Sequence, residues 1–400
     1  MKNKTNLAEF NRYVDLLFIV TILIIISTLT INLKLKIFKD NVSTENRLSH
    51  KITRPDQQQL SNVNLMKKYV ESFPASFDLY FSDNFSFRNR VIQDYSGLKY
   101  NLFNEGNRGA IKGGDGWLYG GIPDIDNHYD YCDKDFTNRL ENYYSFFQSN
   151  TDYLKSKGAQ YYIFVPPKKE TVYPEYLPQN LKGHLCTTSR LDKLSDKLKQ
   201  NNFQQFVDPK NDLIAAKSNK ILFYKTDTHW NEDAAYIATN SLFKNIQKNN
   251  SDLRIPTLEN FEIYKNPVNR MLCGDLTRFM SIPWYCEDQI TFDSYLPASQ
   301  KQIVYQTLDS NINMTEKYFG YETYFLPTAQ KFRVVNPNAL NKNKVLIFID
   351  SFSWATVPFF TETFSEVDYI FIGDNICFEN SIVDKIQPDI VIQEFLEKKL

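Results

Sequence analysis

The sequence lacks an excess of positive charge. Its 400 residues carry a formal net charge of -1 with the basic residues dispersed, so the electrostatic footprint of a nucleic-acid binder is missing and no nucleic-acid partner is expected. Cysteine and histidine are scarce and badly spaced for metal binding. Cys132, Cys186, Cys273, Cys286 and Cys377 include no C-x-x-C pair, and His50, His128, His184 and His229 are never two to four residues apart. Neither a thiolate zinc site nor a His-rich centre is expected, and no cofactor is implied. Cys273 and Cys286 are close enough for a disulfide if the body lies outside the cell, but buried free thiols fit the spacing equally well. Internal repeats and low-complexity tracts are also missing. Tyr and Phe far outnumber Trp within an aromatic content of 15%; core packing is their default use, although flat rings can also stack on sugars.

Long apolar runs are lacking too, with one exception. From Leu16 to Leu33 the chain is uncharged and rich in Ile, Leu and Thr, a length of about 18 residues that suits a membrane-spanning helix. It exceeds an ordinary signal-peptide core and no small-x-small cleavage pattern follows, so an uncleaved anchor is the reading taken over 13–33. Lysines and arginines flank it on both sides and leave orientation open. Residues 1–12 then form a short tail. Residues 34–62, rich in Lys, Asn, Ser and Gln, read as a solvated stalk, and 63–400 as the folded body.

Within the body, Leu65, Tyr69, Phe73, Phe77 and Phe81 recur at helical spacing. Gly113 to Gly116 reads as a turn before the short aromatic strand Trp117-Leu118-Tyr119, and Asn138 to Lys157 has a helical period. Strand candidates follow at Tyr161 to Val165, Phe203 to Val207, Ile221 to Tyr224, Val345 to Ile349, Val367 to Ile372 and Ile390 to Gln393. Helical stretches between most of them predict a doubly wound parallel α/β sheet. Residues from about 252 to 343 lack a clear helical period and read as a loop- or β-rich insertion, of the kind that shapes a substrate groove.

Two polar clusters should stand at strand ends, where open α/β sheets bind ligands. The first is Asp227-Thr228-His229-Trp230-Asn231. Side chains two apart just after a strand can point the same way, so Asp227 can hold the His229 imidazole in the tautomer that takes a proton from a hydroxyl. Asn231 then reads as a helix N-cap, with Glu232 and Asp233 in the first turn and Ala235, Ala238, Leu242 and Ile246 on the buried face. The plain alternative is a histidine that is merely hydrogen-bonded beneath a helix start. The second cluster, Asp350-Ser351-Phe352-Ser353, ends the run Val345 to Ile349. Ser351 would sit at a strand tip before a helix whose N-terminus favours negative charge, and its N–H could serve an oxyanion hole. The plain alternative is that Ser351 is itself the helix N-cap. Ser353 reads as part of the first helical turn.

Taken together, Asp227-Thr228-His229-Trp230-Asn231, Ile349-Asp350-Ser351-Phe352-Ser353 and the single N-terminal anchor resemble the SGNH-hydrolase-like polysaccharide O-acetyltransferases of the AlgX and AlgJ type. Phe81 to Arg90, Leu98-Lys99-Tyr100, Asp115 to Tyr119, Pro167-Lys168-Lys169, Tyr173-Pro174, Leu177-Pro178 and Gly274-Asp275-Leu276 agree with it. The resemblance implies a circularly permuted SGNH sheet, with Ser351 as nucleophile, His229 as general base and Asp227 orienting it, through an acetyl-serine intermediate. It also implies a polysaccharide acceptor, a membrane-bound O-acyltransferase as partner, and a single-pass membrane protein whose body is extracytoplasmic. The chain departs from the family at Ile349, where Gly is usual, and at Glu397-Lys398, where Glu-Arg is usual. No G-x-N-D block follows Gln393, so Gly373 and Asn375 are the candidates for further oxyanion donors. Two other functions fit the same residues: an acetyl esterase using the same three groups, and a polysaccharide-binding or assembly subunit with a degenerate site.

Overall fold

A computed structural model describes residues 16–21, 23–24, 27, 50–84, 88–103, 105–106, 109–121, 136–182, 188–265, 274–282, 285, 293–298, 303–308, 313–314, 331–373 and 375–400. The chain divides into two compact units, Met1–Asn104 and Glu105–Leu400, so the expected 63–400 body spans both. In the first, helices Val63–Asn84 and Arg88–Leu98 carry the helical spacing read from the sequence. Tyr69, Phe73, Phe77 and Phe81 follow ring after ring along one side of the longer helix, with centroids 6.0, 6.0 and 6.3 Å apart, as four-residue spacing requires. Most of the expected anchor lies outside the described residues. Residues 16–21, 23, 24 and 27 are helical, and among the described residues no helix is long and apolar enough to cross a membrane.

The second unit holds twelve strands among its described residues: β1 Ala110–Lys112, β2 Leu118–Gly120, β3 Gln160–Phe164, β4 Phe206–Val207, β5 Phe261–Lys265, β6 Asp293–Pro297, β7 Val304–Thr307, β8 Asn313–Met314, β9 Lys331–Val335, β10 Asn341–Ile349, β11 Phe364–Phe371 and β12 Ile390–Glu394. Eight of these form one sheet in the order β4-β3-β12-β10-β11-β9-β7-β8. The first five are parallel. The remaining three run antiparallel, which corrects the expectation of a wholly parallel sheet. The stretch read as an insertion therefore supplies three strands of the main sheet as well as the two-stranded β5–β6 sheet.

Strand β10 is central because its last five residues, Val345 to Ile349, are all apolar and all buried, the pattern of a strand covered on both faces. Alternate residues face opposite layers. Val345, Ile347 and Ile349 join Val367, Tyr369, Ile390 and Ile392 in a core shared with helices Glu232–Gln247 and Val357–Thr363. Leu346 and Phe348 join Ile163, Ile370 and Val391 in a second core with helices Phe136–Ser156, Arg190–Gln200 and Asn380–Ile386. The parallel half of the sheet is thus doubly wound. Each large side chain so buried contributes about 1.5–3 kcal/mol of transfer free energy.

Two expected strands differ. The run Phe203 to Val207 shortens to Phe206–Val207 because Asn202 adopts a left-handed conformation (φ 56°) and the Phe203 N–H donates to Leu198 O, closing the preceding helix instead. Ile221 to Tyr224 is not a strand of the sheet. Its polar groups are taken up locally: Leu222 N–H donates to the Tyr173 hydroxyl, Leu222 O accepts from Asn231 N–H, and Ile221 O accepts from Asn231 Nδ2. Only Phe223 pairs, with Trp230, across the turn that carries His229.

Candidate active site

That turn is folded on itself. Asp227, 2% exposed, accepts through Oδ1 from both the His229 backbone N–H (2.9 Å) and His229 Nδ1 (2.6 Å). A carboxylate only accepts, so Nδ1 carries the proton and the lone pair of the neutral ring lies on Nε2. Nε2 lies 2.9 Å from Ser351 Oγ. The two clusters, remote in the chain, thus form a continuous hydrogen-bonded series from carboxylate to imidazole to hydroxyl. Asn231 caps the next helix, its side chain accepting from Ala234 N–H at 3.1 Å, so residues 227–231 run from one fixed point to another. Burial lowers the His229 pKa, but attraction from Asp227, and further from Asp275 and Asp350, outweighs it and leaves the imidazole above its ordinary value.

Ser351 follows β10 and opens the 3-10 turn Ser351–Thr356, which leads into helix Val357–Thr363. It is not the cap. Asp350 is: its Oδ1 accepts from Phe352 N–H at 2.9 Å, which leaves the Ser351 hydroxyl for His229. Ser353 points the other way and donates to Glu394 Oε2 at 2.6 Å. Trp230 Nε1–H donates to Phe352 O at 2.9 Å, tying the histidine turn directly to the serine turn; one such bond contributes about 1 kcal/mol net. Ile349 is fully buried in the core and is not among the residues lining the cavity described below.

The Asp227 turn rests on Gly274-Asp275-Leu276. Asp275 N–H donates to Asp227 Oδ2 (3.0 Å), while the Asp275 carboxylate accepts from Thr228 N–H (2.8 Å) and Thr228 Oγ (2.5 Å). Leu276 N–H reaches Thr226 O, and Gly274 N–H reaches Thr226 Oγ1. A Cβ at Gly274 would fall 2.2 Å from Thr226 O, so only glycine permits this approach. Burial first, then the neighbouring Asp227 charge, raises the Asp275 pKa. Donor atoms of Asp227, His229 and Asp275 lie within 4.8 Å of one another and could share a cation. All three are already engaged with protein donors and acceptors.

A cavity of about 560 Å³ opens over His229 and Ser351, lined also by Thr228, Asp275, Phe279, Phe352, Phe371, Gly373 and Lys399. Its wall at β2 is held by Lys169, which is buried and donates to Leu118 O (2.7 Å) and Lys225 O (3.1 Å) beneath the rings of Trp117 and Tyr119. Of the two further oxyanion candidates, Gly373 lines the cavity and has φ +58°. Asn375 is outside the lining, and its backbone N–H is committed to Ile372 O. Beneath the serine, Asp350 meets two residues that the sequence did not point to, Glu394 and Lys399. Asp350 N–H donates to Glu394 Oε2, and Lys399 Nζ approaches Asp350 Oδ2 to 2.9 Å. Glu394 ends β12 beside β10, so its place could have been found from strand order but not from any local motif. Cys273 and Cys286 lie outside the described residues; Cys377 is a free thiol.

Comparison with known proteins bears on the family. The model of a family described as "SGNH hydrolase-like domain, acetyltransferase AlgX" matches residues 110–311, a range that holds Asp227, His229 and Asp275 and ends before Ser351. A probable alginate O-acetylase AlgJ of Pseudomonas fluorescens is 29% identical over 178 residues, covering 42% of this chain and 41% of that protein. Its counterpart from Pseudomonas aeruginosa is 25% identical over 231 residues, covering 56% and 53%. The chain therefore spans between two-fifths and about half the length of these relatives. Among solved structures, Bacillus cereus PatB1 with a sulfonyl adduct superposes with a TM-score of 0.51 at 13% identity, covering 72% of this chain and 96% of that one. This is a likeness of fold.

Proposed function

The chain belongs to the SGNH hydrolase-like, AlgX-type acetyltransferase family, and from that premise we propose that it is an O-acetyltransferase acting on hydroxyl groups of an exported or cell-envelope polysaccharide. One observation carries the proposal: the hydrogen-bonded series Asp227–His229–Ser351 at the base of the cavity. In the proposed mechanism His229 Nε2 takes the Ser351 proton as Oγ attacks the acetyl carbonyl carbon. The same proton passes to the departing group, leaving acetyl-Ser351. His229 then removes the proton of a sugar hydroxyl, whose oxygen attacks the acetyl-enzyme, and returns it to Oγ as the new ester leaves. Asp227 keeps the ring in the required tautomer and stabilises the imidazolium. The backbone N–H groups of Ser351 and Gly373, both of which line the cavity, are the donors proposed for the oxyanion.

The names of the AlgJ relatives support a polysaccharide acceptor. The late position of the serine-bearing strand in the chain supports a permuted SGNH sheet. We further propose that residues 13–33 anchor the chain in the cell membrane, that the body faces away from the cytoplasm, and that a membrane-bound O-acyltransferase supplies the acetyl groups. The decisive assay follows acetyl from an activated ester in the presence of oligosaccharides. Acetyl appearing on sugar with wild type but not with Ser351→Ala supports transfer. Release of acetate alone, in the presence of every acceptor class, would make the protein an esterase. Equal rates with wild type and Ser351→Ala would leave only a binding role.

A further inference from the structure

Directly beneath the serine turn lies a carboxyl pair that the mechanism above does not use. Glu394, 1% exposed at the end of β12, accepts through Oε2 from Asp350 N–H (2.8 Å) and Ser353 Oγ (2.6 Å). Its other oxygen, Oε1, is buried and receives no donor. Asp350 is different, since three groups converge on its carboxylate: Phe352 N–H on Oδ1, and Leu396 N–H (2.8 Å) and Lys399 Nζ (2.9 Å) on Oδ2. Among the described residues Lys399 is the one ammonium bonded to this pair, and it divides its bonds between Asp350 and Gly373 O. On the other side of Glu394, β3 presents Phe164 in register, with no charge to offer. The next acid, Glu397, takes Lys168 N–H and Thr171 Oγ1 on its own Oε2, its Oε1 being likewise undonated.

The charges do not balance if both acids are ionised. Two carboxylates excluded from water would share one ammonium, and one of them would keep a bare oxygen whose desolvation nothing offsets. A proton on Oε1 removes both faults, turning the undonated oxygen into a donor beside an acceptor-only neighbour. We infer that Glu394 is a positioning residue that keeps a proton and donates it to the Asp350 side chain, fixing the turn that presents the Ser351 hydroxyl. Burial, followed by the Asp350 charge, acts on Glu394 in the same direction, raising its pKa well above the ordinary range. The activity arm of the test rests on the reading of Ser351 as nucleophile; the protonation arm does not.

Infrared difference spectra of the full chain at neutral pH, wild type against Glu394→Gln, read the proton directly. A carbonyl stretch of a protonated carboxylic acid should appear in wild type and in Ser351→Ala and vanish in Glu394→Gln; its absence from wild type would overturn the inference. Turnover of an activated acetyl ester reads the positioning. Glutamine reproduces both roles, donating by its amide and accepting by its oxygen, so Glu394→Gln should stay within about threefold of wild type. Glu394→Leu, with the wild-type circular dichroism, should lose about 100-fold, the scale of a 1 Å misplacement. If glutamine rescues no better than leucine, the proposed role is wrong. If Ser351→Ala turns over as fast as wild type, the catalytic reading fails, and the infrared result still decides the proton.

Discussion

At the residue scale the chemistry depends on which side of neutrality each group holds. His229 acts as a base only when neutral, and Asp227 with its acidic neighbours raises its pKa above the ordinary value, about 6.5 for a free side chain. Acetyl-ester turnover should therefore fall as pH drops, with the midpoint above that ordinary value. Asp275→Asn removes one of the negative charges that raises His229 and should move the midpoint down, leaving the high-pH plateau nearly unchanged. Asp227→Asn withdraws the acceptor that fixes the tautomer, and turnover should fall by about 10³–10⁴-fold at every pH. A midpoint that stays put in Asp275→Asn would show that the second carboxylate does not bear on the imidazole.

The residues of this series were legible in the sequence because each lies in a short polar cluster attached to an apolar run. Glu394, Lys399 and the cap role of Asp350 were not. They meet Ser351 only through the pairing of β12 with β10 and the return of the turn Glu397–Lys399 beneath the site, and nothing local in the sequence carries that register. Asp275 stood in a motif, Gly274-Asp275-Leu276, but its bonds to Thr228 became visible only once the turn had folded onto it.

At the scale of elements, the site hangs on two turns and the short segment that braces one of them. Gly274 is the closest point of that brace. Replacing it with alanine drives a methyl against the Thr226 carbonyl, an overpacking cost of about 1–3 kcal/mol. Denaturant titration should show that loss, with turnover reduced because Asp275 N–H no longer reaches Asp227. An unchanged midpoint would mean the segment can relax away without penalty. Strands β3, β10 and β12, with apolar runs, and β11, whose run is interrupted by Asp368, were readable from composition because most of their residues are buried. The segment before Asp227 misled for the same reason: Leu222, Phe223 and Tyr224 are apolar and buried, but their hydrogen bonds go to Tyr173, Asn231 and the facing Trp230 turn rather than to a neighbouring strand. Strands β7, β8 and β9 lay in a stretch without clear periodicity, and their antiparallel extension of the sheet was not foreseen.

For the whole molecule, the sequence suggests a tethered enzyme whose body is carried away from a membrane by a polar stalk. On this proposal the full chain sediments with membranes and resists an alkaline carbonate wash, whereas a chain lacking residues 1–33 remains soluble with the same turnover of a small acetyl ester. Release of the full chain by carbonate would count against the anchor. On the same proposal a tether would leave small-ester turnover unchanged, because every group lining the cavity comes from Glu105–Leu400.

The most direct test is to trap the covalent intermediate. Wild-type protein mixed with an activated acetyl ester and quenched with acid should gain the mass of one acetyl group, located by peptide sequencing on Ser351, and His229→Ala should accumulate far less. Turnover that proceeds at the same rate in Ser351→Ala, or an acetyl group found reproducibly on another residue and none on Ser351, would contradict the account.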